Sequence, residues 1–297
     1  MPKILVILGP TATGKSDLAV KIAQRFNGEV ISADSRQVYT GLDIGAGKIT
    51  KKEMKGVPHH MLDVLDPTLT YTVEDFRRDG EQAVREILSR GKLPIVCGGT
   101  GFYIDALVYG EQFPDVPPNP PLRAILALKS CEELMEEVKR LDPRRAKSLD
   151  PQNKVRIIRA IEIIRALGKV PRMKQITKYE TLFIGITADR ETLRERIHKR
   201  LVKRMRKDAM VKEVANLHKK GLSWKRMHDL GLEYRYVALY LQEKLSKEKM
   251  MAQLENEIVR FSKRQMMWFK RNKKIKWFPL GKLSKINTDI KKFLAGK

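Results

Sequence analysis

The segment Gly9-Pro10-Thr11-Ala12-Thr13-Gly14-Lys15-Ser16 constrains this chain more than any other. A β-branched run, Ile4-Leu5-Val6-Ile7-Leu8, precedes it, and apolar residues at helical spacing follow it: Leu18, Ala19, Ile22, Ala23 and Phe26. Strand, glycine-rich turn, helix is the context in which G-x-x-x-x-G-K-[ST] forms a phosphate-binding loop. The glycines let the backbone curl until successive N–H groups converge on an anion, and the helix N-terminus adds its partial positive charge. Lys15 supplies a mobile cation for the terminal phosphate, and the Ser16 hydroxyl can ligate Mg²⁺. The loop specifies a polyphosphate without saying which.

At 297 residues the chain can bury a substantial core, and one or two domains are expected. The amino terminus enters a strand directly, with no charged leader or cleavage site, and no apolar run approaches the ~20 residues that span a bilayer. No membrane association is expected. Cys97 and Cys131 are too few for a disulfide framework or a four-cysteine zinc site, so a reducing cytoplasm is the expected location. The net charge of +25 is unevenly spread. Residues 1–110 hold 14 Lys/Arg against 13 Asp/Glu, whereas the other 187 residues hold 46 against 22. A near-neutral phosphate-binding part joined to a strongly basic part suggests a small anion in one place and a polyanion across another.

Along the chain, Gly28–Ala33 reads as a second strand ending at Asp34. The carboxyl ends of parallel strands line the ligand crevice, which would put Asp34 opposite the phosphate loop; a simple capping role for the residues after it is the other reading. His59 and His60 are neighbours that point to opposite strand faces, with no third ligand at metal spacing, which argues against zinc. Thr72 and Asp75 open a helix expected to reach about Arg90. Pro94–Cys97 reads as another buried strand, and it ends in Gly98-Gly99-Thr100-Gly101 rather than in the aspartate that a nucleotide hydrolase uses to hold Mg²⁺. Prolines 114, 117, 118, 120 and 121 mark a boundary. Beyond it, Leu122–Lys129, Glu132–Leu141 and Asn153–Leu167 read as helices with no strand between them, an all-helical insertion. Leu182–Thr187 returns to a strand pattern. In the helix that follows, Leu193, Ile197, Leu201 and Met205 form one row and Arg196, Arg200 and Arg204 a parallel basic row. That row is either a solvated face or a set of arginines reaching over a bound polyphosphate. A later helix, Lys247–Phe269, interleaves Lys263, Arg264, Lys270 and Arg271 with Phe261, Trp268 and Phe269, a composition suited to phosphates and stacked bases. Ile275–Pro279 reads as a last strand.

Seven separated stretches then match one family. They are Gly9–Ser16, Asp34–Tyr39, Leu42–Gly45, Pro58–Asp63, Gly98–Ile104, Arg156–Glu162 and Lys263–Phe269. In this order they make the chain resemble the bacterial tRNA dimethylallyltransferases, also called tRNA isopentenyltransferases, along nearly its whole length. The resemblance implies an α/β fold: a P-loop NTPase-like parallel sheet flanked by helices, with an all-helical insertion domain. The expected division is residues 1–112, the insertion at 113–178, and 179–297 as return strand, basic helices and tRNA-binding segment. It implies transfer of the dimethylallyl group from dimethylallyl diphosphate to N6 of the adenosine just 3′ of the anticodon of tRNA, releasing diphosphate. Asp34 would be the general base. Lys15 and Arg200 would hold the diphosphate with Gly9, Pro10, Thr11, Ala12, Thr13, Gly14 and Ser16, the last near a Mg²⁺ cofactor. Segments that touch tRNA in the family correspond to Asp34, Ser35, Arg36, Gln37, Thr100, Arg123, Val155, Arg156, Ile157, Ile158 and Arg159. They also include His228, Asp229, Leu230, Gly231, Leu232 and Glu233, with Lys263 and Arg264 on the basic helix.

Two stretches depart from the family pattern. Gly45-Ala46-Gly47-Lys48 stands for Gly-Thr-Ala-Lys-Pro, so that loop is assigned no role. Gly231-Leu232-Glu233 stands for Gly-Tyr-Lys/Arg, which removes an aromatic and a basic group from a tRNA contact. A monomer is expected. A small-molecule phosphotransferase and a non-catalytic RNA-binding protein are the competing readings of the same loop; the glycine-ended strand speaks against the first.

Overall fold

The β-branched run at the amino terminus forms β1 (Lys3–Leu8), and the chain continues through α1 (Lys15–Arg25), β2 (Gly28–Ala33), the single turn α2 (Lys51–Met54), the two-residue β3 (His59–His60), α3 (Val73–Ser89), β4 (Leu93–Gly98) and α4 (Gly101–Val108). Four helices follow: α5 (Pro120–Ala127), α6 (Cys131–Leu141), α7 (Pro143–Ala146) and α8 (Lys154–Leu167). The remainder comprises β5 (Glu180–Thr187), α9 (Arg190–Met205), α10 (Ala209–Lys219), α11 (Trp224–Leu230), α12 (Leu232–Leu241), α13 (Lys247–Phe269), β6 (Lys276–Pro279) and α14 (Leu283–Leu294). This computed structural model describes residues 1–110, 113–172 and 176–296. It separates into two units, Met1–Gly110 with Thr177–Lys297, and Glu111–Ile176. The boundary expected at residue 112 lies outside the described residues.

In the first unit six parallel strands stand in the order β3-β2-β4-β1-β5-β6. Strand alternation divides the core between the two faces of the sheet. Ile4, Val6 and Leu8 join a cluster that contains Phe76, Leu107, Ile197, Tyr234 and Leu254 of α3, α4, α9, α12 and α13. Leu5 and Ile7 join the cluster of Ala19 and Ile22 of α1 with Ile286 and Ile290 of α14. Each fully buried Leu or Ile of this kind contributes on the order of 1.5–3 kcal/mol. Helix α3 begins as its sequence requires: the Thr72 side chain accepts from the Asp75 N–H and the Asp75 carboxylate from the Thr72 N–H.

The register brings three strand ends together. Leu8 lies beside Gly98, and Gly98 beside Ala33, so the loop after β1, Asp34 and Gly99 all leave the sheet at one edge. Gly98 is there because nothing larger fits: a Cβ would lie 2.1 Å from the Ala33 carbonyl oxygen. The backbone at this point belongs to a paired strand and has little room to give. Gly98→Ala is therefore expected to cost about 1–3 kcal/mol or more of stability. A thermal melt reads this directly, and an unchanged Tm would mean that β2 and β4 can separate without loss.

The second unit is a helical cluster around Leu126, Leu134, Val138, Ile157, Ile161 and Ile164. Its helices are capped by Asn119, Ser130, Asp142 and Asn153, and α8 stops at Gly168 with φ +78°. Buried Glu162 accepts from the Asn119 N–H and from Arg123 Nε, both at 2.8 Å, and from Arg159 at 3.2 Å. One carboxylate thus ties the proline-rich entry to α5 and α8. The three groups hold Glu162 below the usual carboxylate range, against the opposing effect of burial.

Candidate active site

The loop Gly9–Ser16 is shaped by backbone that few residues tolerate. Gly9 has φ +148°, and a Cβ on it would meet the Ile186 carbonyl oxygen at 2.3 Å; Gly14 has φ +78° at the start of α1. Thr13 Oγ1 and Lys15 Nζ both donate to the Pro10 carbonyl, at 2.9 and 2.7 Å, which closes the loop on itself. From α13 the buried Gln265 fixes it from outside. Its Oε1 accepts from the Thr11 N–H at 2.8 Å and its Nε2 donates to the Gly99 carbonyl at 2.9 Å. One amide therefore sets the distance between the phosphate loop and the glycine end of β4. The sequence held the signal, a polar residue on the apolar side of an amphipathic helix, but gave it no meaning.

Asp34 stands at the carboxyl end of β2. Its Oδ1 accepts from the N–H of Arg36 at 2.9 Å and of Gln37 at 3.4 Å, so it organises the turn that follows. It also lines a cavity of about 460 Å³ together with Thr11, Lys15, Ser16, Gln37 and Thr100. Thr100 Oγ1 accepts from the Ser35 N–H at 3.1 Å, Ser32 Oγ donates to Gln37 Oε1 at 3.1 Å, and Arg36 Nε donates to the Leu230 carbonyl at 2.6 Å. These bonds fix the floor of the cavity. Asp229, Gly231, Leu232 and Glu233 reach the same cavity from the α11–α12 junction, as do Phe261 and Arg264 from α13.

The basic row of α9 is split three ways. Arg196 is exposed. Arg200 turns to the phosphate loop, where its Nη1 donates to Thr11 Oγ1 at 3.2 Å. Arg204 donates instead to the Gly45 carbonyl at 3.0 Å and to Glu233 at 3.1 Å. A second cleft, about 710 Å³, shares Lys15, Ser16 and Arg200 with the first and is lined further by Lys48, Arg196, Lys199 and Lys203. The loop Gly45–Lys48 has a structural task after all. The Glu213 carboxylate accepts from the N–H groups of Asp43, Ile44 and Gly45, the Tyr234 hydroxyl from that of Ala46, and Lys48 reaches Asp43 and the Tyr39 carbonyl.

Cations crowded around the phosphate loop repel one another. Burial, with a further push from Arg200, lowers the Lys15 pKa to about 8, and Asp34 opposes the shift. Burial and Arg204 lower Arg200 to about 10. The nearby Cys97 thiol is pushed up to about 12 by burial, which leaves it unreactive. The charged form of Lys15 is the one that binds an anion. After allowance for the ligand's own ionisation, the Lys15 contribution to inorganic diphosphate affinity is accordingly expected to be full below about pH 7 and to fall as pH rises through about 8, with proton uptake by the protein on binding. Calorimetry across that range reads both, and Lys15→Met should abolish the step.

The candidate tRNA contacts fare unequally. In the second unit Val155 is 78% exposed and Arg156 lies open, but Ile157 is wholly buried and Ile158 half-buried. Ile157 belongs to the apolar face of α8, so its side chain is unavailable to a partner. Arg123 and Arg159 are engaged with Glu162. In the first unit Leu230 is buried, and the His228 carbonyl is taken by Arg235 at 2.8 and 3.0 Å. Lys263 and Arg264 are exposed; Arg264 approaches Glu257 at 3.8 Å and lies over the Phe261 ring, 6.0 Å from its centre. No group of three His, Cys, Asp or Glu that could hold a metal occurs among the described residues.

A family model for IPP transferase matches residues 37–272. The chain belongs to this family. It is similar to the tRNA dimethylallyltransferase of Anoxybacillus flavithermus, 38% identical over 94% of this chain and 90% of that one. A crystal structure of the full-length tRNA isopentenylpyrophosphate transferase of Bacillus halodurans superposes with a TM-score of 0.75 at 33% identity, covering 100% of this chain and 96% of that one. A eukaryotic dimethylallyltransferase acting on tRNA gives 0.85 at 25% identity, covering 100% and 80%. The IPP transferase fold is thus present from the phosphate loop to the last helix, and the fold class expected from the sequence holds.

Proposed function

We propose that this chain is a tRNA dimethylallyltransferase that moves the dimethylallyl group of dimethylallyl diphosphate to N6 of the adenosine just 3′ of the anticodon. The observation that carries this reading is the meeting of three groups around one cavity: a phosphate loop with Lys15, Arg200 at Thr11, and Asp34 across from them. A phosphate loop normally serves transfer of the phosphoryl group itself. Here β4 ends in glycines with no room for a metal-holding carboxylate, and a carboxylate suited to an amine proton stands at the end of β2.

The chemistry follows from that placement. As the N6 nitrogen bonds to the first carbon of the dimethylallyl group, the carbon–oxygen bond to diphosphate breaks and the electron pair leaves with the oxygen. The adenine amine is a weak nucleophile because its lone pair is delocalised into the ring. Its proton becomes acidic as the new bond forms, and Asp34 accepts it. Charge accumulates on the departing diphosphate, and the loop amides, Lys15 and Arg200 stabilise it. The adenine reaches Asp34 by leaving its stack, and the turn Ser35–Gln37 with Thr100 offers amide and hydroxyl groups to its edge. The donor set suits Mg²⁺: the exposed Ser16 hydroxyl together with diphosphate oxygens and water is the usual complement for this ion, which needs few protein carboxylates. When bound it would add positive charge at the diphosphate. The protein acts in this reading as a cytoplasmic monomer; among the described residues no helix is long and apolar enough to cross a membrane.

The substrate assignment is tested by comparing acceptors. Transfer to an unmodified tRNA transcript but not to AMP supports it, whereas equal rates on the two would replace tRNA by a free nucleotide. The charge distribution adds a second readout. Lys263, Arg264, Lys270 and Arg271 are exposed on or just after α13. Replacing them by Gln is expected to weaken tRNA binding and to flatten its log–log salt dependence by up to about two to four units, at roughly 0.7–0.9 per lost phosphate contact. Diphosphate binding should hardly change. An unchanged slope in a folded variant would remove this helix from the RNA surface.

A further inference from the structure

Arg200 and Arg204 lie one turn apart on α9 and pass over the same point of the Gly45–Lys48 loop. That point is Gly47, with φ +59°. A Cβ there would stand 1.5 Å from Arg204 Nη2 and 2.3 Å from Arg200 Nη2, so the absence of a side chain is what seats both guanidinium groups. Two cations so close repel, and among the described residues Arg204 alone of the two forms a direct ion pair. Arg204 pairs with Glu233 at 3.1 Å, with side chains 11% and 13% exposed. Arg200 has no carboxylate within 4.0 Å among the described residues and reaches Thr11 instead. Helix α12 braces this seat twice. Glu233 takes Arg204, and the next residue, Tyr234, holds the Ala46 N–H and the Glu213 carboxylate, which fixes the Gly45 carbonyl that Arg204 also uses.

We propose that Glu233 is a positioning residue for donor binding: by neutralising Arg204 and holding it on Gly45, it keeps Arg200 presented to the phosphate loop. The departure of Gly231-Leu232-Glu233 from a tRNA-contacting pattern then has a purpose inside the donor site. Burial and Arg204 both disfavour the charged form of Arg200 and Glu233 opposes them, in keeping with this arrangement. The inference rests on the proposed role of the phosphate loop in holding the donor's diphosphate.

A double-mutant cycle tests it, with inorganic diphosphate plus Mg²⁺ as the binding probe and with separate KM values for dimethylallyl diphosphate and tRNA. E233Q frees Arg204 to push Arg200 off Thr11, a loss of presentation that outweighs the removal of one negative charge, and should weaken diphosphate binding about tenfold. R204Q leaves a carboxylate unpaired near the incoming anion and should weaken it at least as much. The double variant E233Q/R204Q removes both charges and should return to within about threefold of the parent, as should E233D, which keeps the charge. The tRNA KM should stay within about twofold throughout. Additive losses in the double variant, or a change in the tRNA KM with diphosphate binding intact, would overturn the proposal. If a glutamine variant loses its native circular dichroism, the cycle is repeated with E233A and R204M, and additive losses there also overturn the proposal. A parent protein that binds diphosphate without transferring to tRNA would refute the enzymatic reading alone, since the cycle on diphosphate still decides the role of Glu233.

Discussion

Asp34→Asn is expected to lower single-turnover transfer by about 10²–10⁴ at saturating tRNA, with tRNA affinity within about threefold of the parent. Asparagine is the informative substitution because Asp34 has two tasks. Its Oδ1 accepts from the Arg36 and Gln37 N–H groups, and the amide oxygen of asparagine can preserve that turn. What asparagine cannot do is take a proton from N6. Asp34→Ala loses the turn as well and should be at least as slow, with an added cost in tRNA affinity if Arg36 releases the Leu230 carbonyl. An Asn variant within threefold of the parent would remove Asp34 from proton transfer and leave it as a turn former.

Removing charge from the diphosphate side should be nearly as severe. Lys15→Ala and Arg200→Ala are each expected to reduce the rate by about 10²–10³, because each withdraws a preorganised cation from a leaving group that gains charge in the transition state. The two are distinguishable from a binding defect by measurement at saturating donor. Lys15 rests on the Pro10 carbonyl and Arg200 on Thr11, so both cations are held at the loop. If Arg200→Ala spares the chemical step and weakens only tRNA binding, Arg200 belongs to the RNA surface. Arg196→Ala is the matched control from the same row, and its exposed side chain should contribute little.

The sequence made the sheet legible because its strands are buried on both faces and appear as short apolar runs with turn residues at each end. β2 (Gly28–Ala33) begins and ends where the pattern placed it, and α3 was announced by Thr72 and Asp75. The single turn α7 and the helices α10 and α14 were not legible. α14 displays only a narrow apolar stripe, Ile286, Ile290 and Phe293, among lysines, and its packing against α1 becomes apparent only once the sheet is built. In the site, residues next to a strand end could be placed by topology alone, as Asp34 and the phosphate loop were. Residues that act from distant helices could not. Gln265 and Tyr234 are buried and Glu213 half-buried, polar groups whose partners lie between 21 and 254 residues away, and no periodicity encodes such a pairing. The arginine row shows the same limit: three residues with equal spacing have three different surroundings, and only the contacts of Arg200 and Arg204 separate them.

In the proposed function this cavity joins a five-carbon group to the adenosine beside the anticodon. The most direct measurement is incubation of an unmodified tRNA transcript with the protein, Mg²⁺ and dimethylallyl diphosphate, followed by nuclease digestion and mass spectrometry of the fragments. The predicted result is one dimethylallyl unit on the fragment carrying the adenosine 3′ of the anticodon, with diphosphate released in equal amount and no product from the Asp34→Asn variant. An unmodified transcript with a folded, diphosphate-binding protein, or a label on any other nucleotide, would contradict it.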